Sequence, residues 1–294
     1  MEAHNLTKVY PDGKMALDSF EIQVYRGVVH SLLGRNGAGK TTFTRIISTI
    51  LEPTSGEATV LGYDVMARPN EIRKRIAVVP QEARPFSLQT PYEHVFMYLA
   101  SRGESFAQAR QKANSIMKEL GLSEYAHKIC GNLSGGLRQK VIVAMAIATE
   151  PELILLDEPT IGLDPVARMD IWNVIRNIVK ENRTVFLTTH YMDEAEVLSN
   201  TISIMDRGKK IKEGAPRELR YDMKYTTTVV ISGELDVSNG WGEVYRQGSA
   251  VRVFTDAKRA EELVRYAARS GIGVAVRPLS IEDVFLKLVG EMDD

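Results

Sequence analysis

Cysteine is nearly absent from this sequence of 294 residues: Cys130 is the only one, so no disulfide can form within the chain. The first ten residues, MEAHNLTKVY, also lack the basic flank and the apolar run of a secretory leader. Together these absences predict a protein that works in the reducing cytosol.

Long apolar runs are missing as well. The longest is Val141 to Ala148, whereas a helix needs roughly 20 apolar residues to cross a bilayer. We therefore expect no membrane-spanning segment in this sequence.

An excess of charge of one sign is the third absence. Lysine and arginine number 37 and aspartate and glutamate 38, so the chain has no global field that would hold a polyanion. We do not expect nucleic acid to be a partner.

The composition that remains is that of a globular protein, with 44% hydrophobic and 26% charged residues, and its length fits about two domains. We place the first domain at residues 1–220 and a small second domain at residues 221–294. In the second domain, three short strand patterns, TTTVVIS, VRVF and VAVR, are combined with two helical patterns. The buried face predicted for the last helix follows the i, i+3, i+4, i+7 spacing and consists of Ile281, Val284, Phe285 and Leu288.

The first domain opens with strand patterns. Phe20, Ile22 and Val24 alternate with polar residues, which predicts antiparallel strands with one solvated face. A compact apolar strand at Val28 to Leu33 then runs into a glycine-rich loop, and a helix is predicted from Thr42 to Leu51. Strand, glycine loop and helix are the order that a nucleotide site requires.

Helical signals follow in the middle of the domain. Thr90 and Glu93 form a capping box with Pro91 between them, and we expect a helical insertion at about residues 84–140. From Pro151 the strands LILLD, TVFLTTH and TISIMD alternate with a helix over Pro165 to Lys180. Alternation of this kind predicts parallel strands joined by helices.

Gly34 to Thr41, GRNGAGKT, fits the phosphate-binding pattern G-x-x-x-x-G-K-[ST]. Its glycines let backbone N–H groups converge on phosphates without obstruction. We expect Lys40 to reach the outer phosphates and the Thr41 hydroxyl to bind magnesium, while the following helix directs its N-terminal dipole at the same anion. A glycine-rich turn that serves packing alone is the alternative, but the full pattern in this context argues against it.

Asp157 and Glu158 follow the apolar strand LILL, at the end of a strand where open α/β sheets bind their ligands. Asp157 is predicted to hold the magnesium ion, and Glu158 to orient or deprotonate the water that attacks the terminal phosphate. Solvated acids at a strand end are common, so this pair carries weight only together with the phosphate loop.

A phosphate loop alone fits kinases, GTPases and ATPase motors alike. The discriminating stretch is Leu133 to Gly136, LSGG, which opens an apolar helix whose N-terminus suits a phosphate. Here the sequence resembles the ATP-binding cassette family, for which LSGG is the signature, and the resemblance covers roughly the first 220 residues. It implies an α/β fold, a P-loop NTPase cassette with an antiparallel β subdomain and a helical insertion, followed here by a small C-terminal α+β domain.

In that family two cassettes enclose two ATP molecules, and the signature of one subunit closes on the γ-phosphate held by the P-loop of the other. The resemblance therefore implies a dimer, which we expect to be a homodimer, that binds and hydrolyses Mg-ATP. One departure is Leu137, where many members have glutamine. We expect Ser134 and the backbone amides of Gly135 and Gly136 to make the phosphate contact.

Other family motifs match in chain order. Gln81 resembles the Q-loop residue, Asp164 the D-loop aspartate, His190 the switch histidine and Tyr10 the aromatic residue that stacks on adenine. The nucleotide contacts predicted in this way are Tyr10, Gly34, Arg35, Asn36, Gly37, Ala38, Gly39, Lys40, Thr41, Thr42, Ser134, Gly135, Gly136 and Asp164. The predicted catalytic residues are Glu158, His190 and Gln81, and the predicted magnesium ligands are Thr41, Gln81 and Asp157.

The biological task rests on the resemblance. Cassettes of this family dock on separate transmembrane permease subunits, here through a groove that includes residues between Glu82 and Glu93, which would place the chain on the inner face of the cell membrane. The stretches TTHYMDEAE (188–196) and LSIEDVFLKLVG (279–290) look like the branch that exports drugs, antibiotics, lipids or polysaccharides. The alternative is a soluble cassette ATPase that acts on ribosomes or nucleic acid, which would favour a basic face that the composition does not suggest.

Overall fold

The structure, a computed structural model, describes residues 1–180, 182–233, 237, 240–247 and 250–290. The rest of the predicted C-terminal domain lies outside the described residues. Contacts along the chain divide it into two compact units, Met1–Lys212 and Glu213–Asp294.

The first unit contains most of the secondary structure. Its elements in chain order are β1 (Glu2–Val9), β2 (Met15–Gln23), β3 (Val29–Gly34), α1 (Lys40–Ile47), β4 (Ser55–Val60), β5 (Tyr63–Asp64), α2 (Pro69–Arg75), β6 (Ile76–Val79), α3 (Pro91–Ser101), α4 (Phe106–Glu119), α5 (Gly135–Ala148), β7 (Leu153–Asp157), α6 (Pro165–Lys180), β8 (Thr184–Thr189), α7 (Met192–Leu198), β9 (Thr201–Asp206) and β10 (Lys209–Gly214).

Two sheets organise this unit. The antiparallel one has the order β2-β1-β4-β5, and the other has six strands in the order β10-β9-β3-β8-β7-β6. Strands β3, β6, β7, β8 and β9 pair in parallel, which confirms the alternating pattern of the sequence. In register, Leu33 of β3 lies beside Thr189 of β8, and Asp157 of β7 lies beside Thr188. The carboxyl ends of the three strands therefore meet at one edge of the sheet.

Aromatic packing joins the two sheets through α1. Phe43 of this helix lies 5.0 Å from the ring of Phe20 in the antiparallel sheet and 5.5 Å from Phe186 in the parallel sheet, and all three are buried. Phe20, Ile22 and Val24 point into this core while their polar neighbours are exposed, as the alternation predicted. Burial of such aromatic side chains is worth a few kcal/mol each.

Helix α1 differs from its prediction at both ends. It begins at Lys40 rather than Thr42, because Gly39 adopts a left-handed conformation (φ 112°) that turns the loop directly into the first helical turn. It ends at Ile47 rather than Leu51, because Thr49 has a positive φ of 62° that no α-helix can include. The predicted capping box of Thr90 and Glu93 is present at the start of α3.

The second unit contains α8 (Pro216–Tyr221), β11 (Thr227–Ser232), β12 (Glu243–Gln247), β13 (Ala250–Thr255), α9 (Ala257–Arg269), β14 (Val274–Pro278) and α10 (Ile281–Val289). Its four strands form a sheet in the order β12-β13-β11-β14, whose determined pairs are antiparallel. Strand β12 and helix α8 have no counterpart in the sequence prediction, since five or six residues are too few to show a period.

The buried face of α10 is partly different from the predicted one. Ile281, Val284 and Phe285 are buried, but Leu288 is only partly buried. Asp283 is instead fully buried, since its carboxylate accepts hydrogen bonds from Arg277, from the Thr228 hydroxyl and from the backbone N–H of Ser280. A prediction that uses only apolar residues cannot identify a charged residue on the buried face of a helix.

In the part of the chain that the structure describes, no helix is long and apolar enough to span a bilayer.

Candidate functional site

A cleft of about 400 Å³ lies at the carboxyl edge of the six-stranded sheet. Its lining residues are Tyr10, Lys14, Ala16, Asn36, Gly37, Gly39, Lys40, Thr41, Thr42, Gln81 and Glu158. Residues predicted from motifs far apart in the sequence, at 10, 36–37, 39–42, 81 and 158, therefore meet in one place.

The loop between β3 and α1 needs its glycines for geometric reasons. Gly37 and Gly39 have φ values of 81° and 112°, in the left-handed region that L side chains rarely adopt. A Cβ on Gly34 would come within 2.5 Å of the Met205 carbonyl oxygen, and one on Gly39 within 2.3 Å of the Ala16 carbonyl oxygen. The loop therefore packs too closely for any side chain at these positions.

Lys40 is buried at the base of the cleft, where its side chain is 5% exposed. Its ammonium group donates hydrogen bonds to the carbonyl oxygens of Gly34 (2.8 Å) and Arg35 (3.1 Å) and lies 3.1 Å from a carboxylate oxygen of Glu158. A buried ammonium ion requires such partners, and phosphate oxygens would be equivalent ones.

Glu158 connects the lysine to a histidine. One carboxylate oxygen faces Lys40, and the other is hydrogen-bonded to Nδ1 of His190. The backbone fixes Glu158 here, since its φ of 52° is positive and its N–H donates to the Thr188 carbonyl oxygen at 3.1 Å. The strained backbone conformation at the end of β7 is of a kind that clusters at functional sites.

Asp157 lies between two hydroxyl groups. It accepts hydrogen bonds from the hydroxyls of Thr188 and Thr41, the latter at 3.4 Å. Hydroxyl and carboxylate oxygens fit Mg²⁺, which is usually bound by one or two carboxylates together with phosphate oxygens and water. Within the described residues there is no group of three or more His, Cys, Asp or Glu side chains that could hold a metal ion. The Thr41 and Asp157 oxygens fit an ion that is also bound by phosphate oxygens.

Tyr10 and Gln81 line the cleft on other sides. The Tyr10 hydroxyl lies 3.1 Å from that of Thr42, and the Lys8 ammonium lies 5.7 Å from the Tyr10 ring centroid. Gln81 follows β6 and is partly exposed. Both side chains reach the cleft from elements outside the phosphate loop.

The remaining predicted nucleotide contacts lie outside this lining. Ser134 is exposed and caps α5, because its side chain accepts a hydrogen bond from the Leu137 N–H at 3.3 Å. Asp164 is also exposed and caps α6, accepting from the N–H groups of Val166 and Ala167. The two helix starts are close together, since a Cβ on Gly136 would meet the Cβ of Ala167 at 2.5 Å.

Sequence reasoning missed several side chains that connect to the site. Thr188 is one, and Arg168, Tyr191 and Glu194 form a cluster around the segment after His190. Glu194 is fully buried, and burial raises the pKa of its carboxyl group. Thr188, Tyr191 and Glu194 lie in the stretch TTHYMDEAE, but the sequence pattern there is that of an ordinary helix start and does not indicate a role for them.

Comparison with known proteins finds similarity to ATP-binding proteins of the ABC transporter family. The sequence profile of the ABC transporter family matches residues 17–161. The chain is 39% identical to the daunorubicin/doxorubicin resistance ATP-binding protein DrrA of Streptomyces peucetius, over 75% of this chain and 66% of that protein. It is 35% identical to the daunorubicin resistance ATP-binding protein DrrA3 of Streptomyces coeruleorubidus, over 97% of this chain and 94% of that one. It is 34% identical to the Nod factor export ATP-binding protein I of Cupriavidus pinatubonensis, over 100% and 92% of the two chains.

A solved structure agrees with these relatives. The dimeric structure of a post-hydrolysis state of the ATP-binding cassette MJ0796 bound to ADP and Pi is similar to this one with a TM-score of 0.66 and 27% sequence identity. The similarity covers 73% of this chain and 97% of that chain. The predicted cassette fold is therefore confirmed.

Proposed function

Because the chain belongs to the ABC transporter family as an ATP-binding and ATP-hydrolysing subunit, we propose that it powers outward transport through separate membrane-spanning subunits by ATP-driven closure of a dimer. The observation that carries this proposal is the buried contact of Lys40, Glu158 and His190 at the end of the phosphate loop. It joins a phosphate-binding cation and a carboxylate that line the cleft to a titratable ring next to them.

The chemistry of the site follows from these contacts. Lys40 pairs with the outer phosphates of ATP, and the loop amides between Gly34 and Thr41 surround them. Thr41 and Asp157 would hold magnesium, which supplies positive charge against the phosphate oxygens when it is bound. Tyr10, at the edge of the cleft, provides a face for the adenine ring.

Glu158 is the residue we assign to water activation. Its carboxylate is within reach of the cleft and next to His190, which can hold the γ-phosphate through its second ring nitrogen. A phosphate that binds Lys40 replaces Glu158 as its partner. The carboxylate oxygen of Glu158 that faced Lys40 can then accept a proton from water. Gln81, which also lines the cleft, would complete the contacts to magnesium and water.

The exposed helix starts support a composite site. Ser134 and Asp164 lie at the surface rather than in the cleft of their own chain, so they are available to a second cassette. Val166 and Met169 beside them on α6 are 72% and 60% exposed, so apolar area next to these helix starts is open to a second cassette. We propose that this partner is a second copy of the chain, with Ser134, Gly135 and Gly136 closing on its γ-phosphate.

An apolar surface on the helical insertion supports docking to a membrane subunit. Phe86 and Leu88 are 71% and 85% exposed in the loop after Gln81, and Met97 of α3 beside them is 53% exposed. They fall in and next to the predicted docking range from Glu82 to Glu93. Binding there would place the chain on the inner face of the membrane.

Two kinds of relative support outward transport. DrrA and DrrA3 are described as resistance proteins for daunorubicin, and the Nod factor relative as an export protein. The ribosome or nucleic-acid alternative has no comparable support, and the charge balance of 37 to 38 disfavours it.

Mixing two inactive variants of the full chain tests the composite site. Ser134→Arg blocks the signature and Lys40→Ala the phosphate loop, so each pure variant should lose ATPase activity. A mixture forms heterodimers with one intact site, and we expect activity to return to roughly a quarter of the wild-type rate, since half of random dimers are mixed and each has one of two sites. Mixtures as inactive as their components would contradict the shared-site dimer.

A further inference from the structure

The segment that begins with His190, residues 190–194, is held against α6 by side chains that the proposed mechanism does not use. His190 contacts Glu158 on one side, and its ring centroid lies 4.1 Å from that of Tyr191 on the other. The position of His190 therefore depends on where Tyr191 is held. We call residues 190–194 the switch segment.

Arg168, in the first turn of α6, holds Tyr191. Its guanidinium carbon lies 4.4 Å from the Tyr191 ring centroid and 5.3 Å from that of Trp172, so the cation is placed between two rings. One of its terminal nitrogens is 3.0 Å from both carboxylate oxygens of Asp193. Two residues of the switch segment, Tyr191 through its ring and Asp193 through its carboxylate, therefore contact the same guanidinium group.

Glu194 makes a second connection from the inside. One of its carboxyl oxygens accepts hydrogen bonds from the Thr160 hydroxyl at 2.7 Å and from the Trp172 indole N–H at 3.0 Å. Thr160 lies two residues after Glu158, and Trp172 lies on α6. The fully buried Glu194 therefore joins the chain leaving β7, the helix α6 and the switch segment.

Simple packing does not account for these choices. A buried carboxyl group costs stability that an apolar residue of the same size would not. The ion pair to Asp193, whose side chain is 59% exposed, adds little stability in water. The contacts instead fix geometry, since each one sets both the direction and the distance of a group next to His190.

We propose that Arg168 and Glu194 are positioning residues for ATP hydrolysis, which fasten the switch segment to α6 so that His190 and the loop of residues 161–164 move together. This inference rests on the proposed ATPase function. Because α6 begins directly after that loop, a second cassette that contacts Asp164 would shift α6 and, through it, the histidine. Occupation of the γ-phosphate position and closure of the dimer are thereby linked within one chain.

The first test compares two arginines of the same helix in the full-length chain. Arg168→Gln removes the planar cation, and we expect kcat for ATP to fall about tenfold while the ATP Kd stays within about twofold, because the nucleotide contacts are intact. Arg176 lies two turns further along α6, is exposed and donates to the Val197 carbonyl oxygen, so Arg176→Gln should leave both quantities within about twofold.

A second measurement separates positioning from general structure. In a His190→Ala background, Arg168→Gln should cause no further loss of activity, because the residue it acts through is gone. The ¹H and ¹⁵N NMR resonances of the His190 ring should also shift in Arg168→Gln, since the Tyr191 ring no longer lies against it. If Arg168→Gln does not fold, Asp193→Asn breaks the same contact from the exposed side and should shift the same resonances.

Three results would overturn the inference: an unchanged kcat in Arg168→Gln, the same fractional loss with and without His190, or unchanged His190 resonances. Failure of the proposed function would look different, because the wild-type chain itself would then show no ATPase activity that depends on Lys40.

Discussion

At the scale of single residues, the charged groups of the site form ion pairs and hydrogen bonds with one another. Lys40, Glu158 and His190 form one connected set, and Asp157 is held by two threonine hydroxyls. Buried charges of this kind are retained only where they have partners, and ATP exchanges one set of partners for another. Each residue can therefore be tested by a change that keeps its shape.

Glu158→Gln should retain ATP binding but lose hydrolysis. The amide keeps the size of the side chain but cannot accept a proton from water, and loss of a general base costs roughly 10²- to 10⁴-fold in turnover. Phosphate release measures the loss, and size-exclusion chromatography with ATP should show an accumulated dimer. Glu152→Gln, at the opposite end of β7 in an exposed pair with Arg75, is the matched control and should remain active. Undiminished turnover in Glu158→Gln would refute the assignment.

Glu194→Gln should change how stability depends on pH. Burial raises the folded-state pKa of Glu194 above its ordinary value of 4.5, so the folded chain binds more protons than the unfolded chain in the window between those two values. Stability contributed by this group is therefore lost as the pH rises through that window. The glutamine cannot titrate, so its urea unfolding midpoint, relative to wild type, should improve as the pH rises from about 4.5 upward. A constant difference at every pH would contradict this.

At the scale of elements, the proposed nucleotide and partner contacts lie mainly at helix starts. Helices α1, α5 and α6 begin directly after Gly39, Ser134 and Asp164, and each start presents N–H groups or a cap at a site where a phosphate or a partner is proposed. The parallel strands bring these starts to one edge of the sheet. By contrast, the start of α10 has a structural task.

Asp283→Ala should destabilise the second unit. Its fully buried carboxylate is bound by Arg277 through two nitrogens and by the Thr228 hydroxyl, so its removal leaves Arg277, which is 31% exposed, and the buried Thr228 hydroxyl without this partner. Loss of hydrogen bonds to a charged group costs about 1.5 to 3 kcal/mol. Chemical denaturation of the full chain measures the loss, and Glu282→Ala, at the neighbouring and partly exposed position, should cost about 1 kcal/mol or less. Equal effects of the two variants would show that Asp283 has no special role.

At the scale of the whole molecule, two of the exposed apolar surfaces lie at proposed contacts. One is on α6 near the proposed dimer contact, and the other, around Phe86 and Leu88, is on the helical insertion. A cassette that works between a second cassette and a membrane subunit needs two such surfaces. We therefore propose that Ser134 to Gly136, the loop around Phe86 and Leu88, and the cleft serve different contacts of the same chain.

Phe86→Ser combined with Leu88→Ser should abolish co-purification with the membrane-spanning subunits and leave ATP binding unchanged. Both side chains are largely exposed, so the change removes apolar contact area without opening the core. Pull-down from detergent-solubilised membranes measures the first quantity and nucleotide titration the second. Ile50→Ser, at a position 68% exposed on another part of the first unit, is the control and should bind normally. Retained membrane partners in the double variant would exclude this docking surface.

The sequence by itself determined the phosphate loop, the strand that ends in Asp157 and Glu158, and the parallel arrangement. These features depend on local spacing: glycines at positions that need positive φ, an apolar strand before two acids, and a cap before an apolar helix. The same locality explains the errors at the ends of α1 and at Leu288, since the end of an element is decided by single backbone angles and by what packs against it.

Only the tertiary structure decided which of these pieces meet. It places Tyr10, Gln81 and Glu158 in one cleft and puts Ser134 and Asp164 at the surface, because sheet order brings distant strand ends together in a way that no sequence spacing encodes. It also revealed the contacts of Arg168 and Glu194, which are 26 residues apart and join through side-chain geometry alone. Local chemistry can be read along the chain, but partners across the fold are selected by packing.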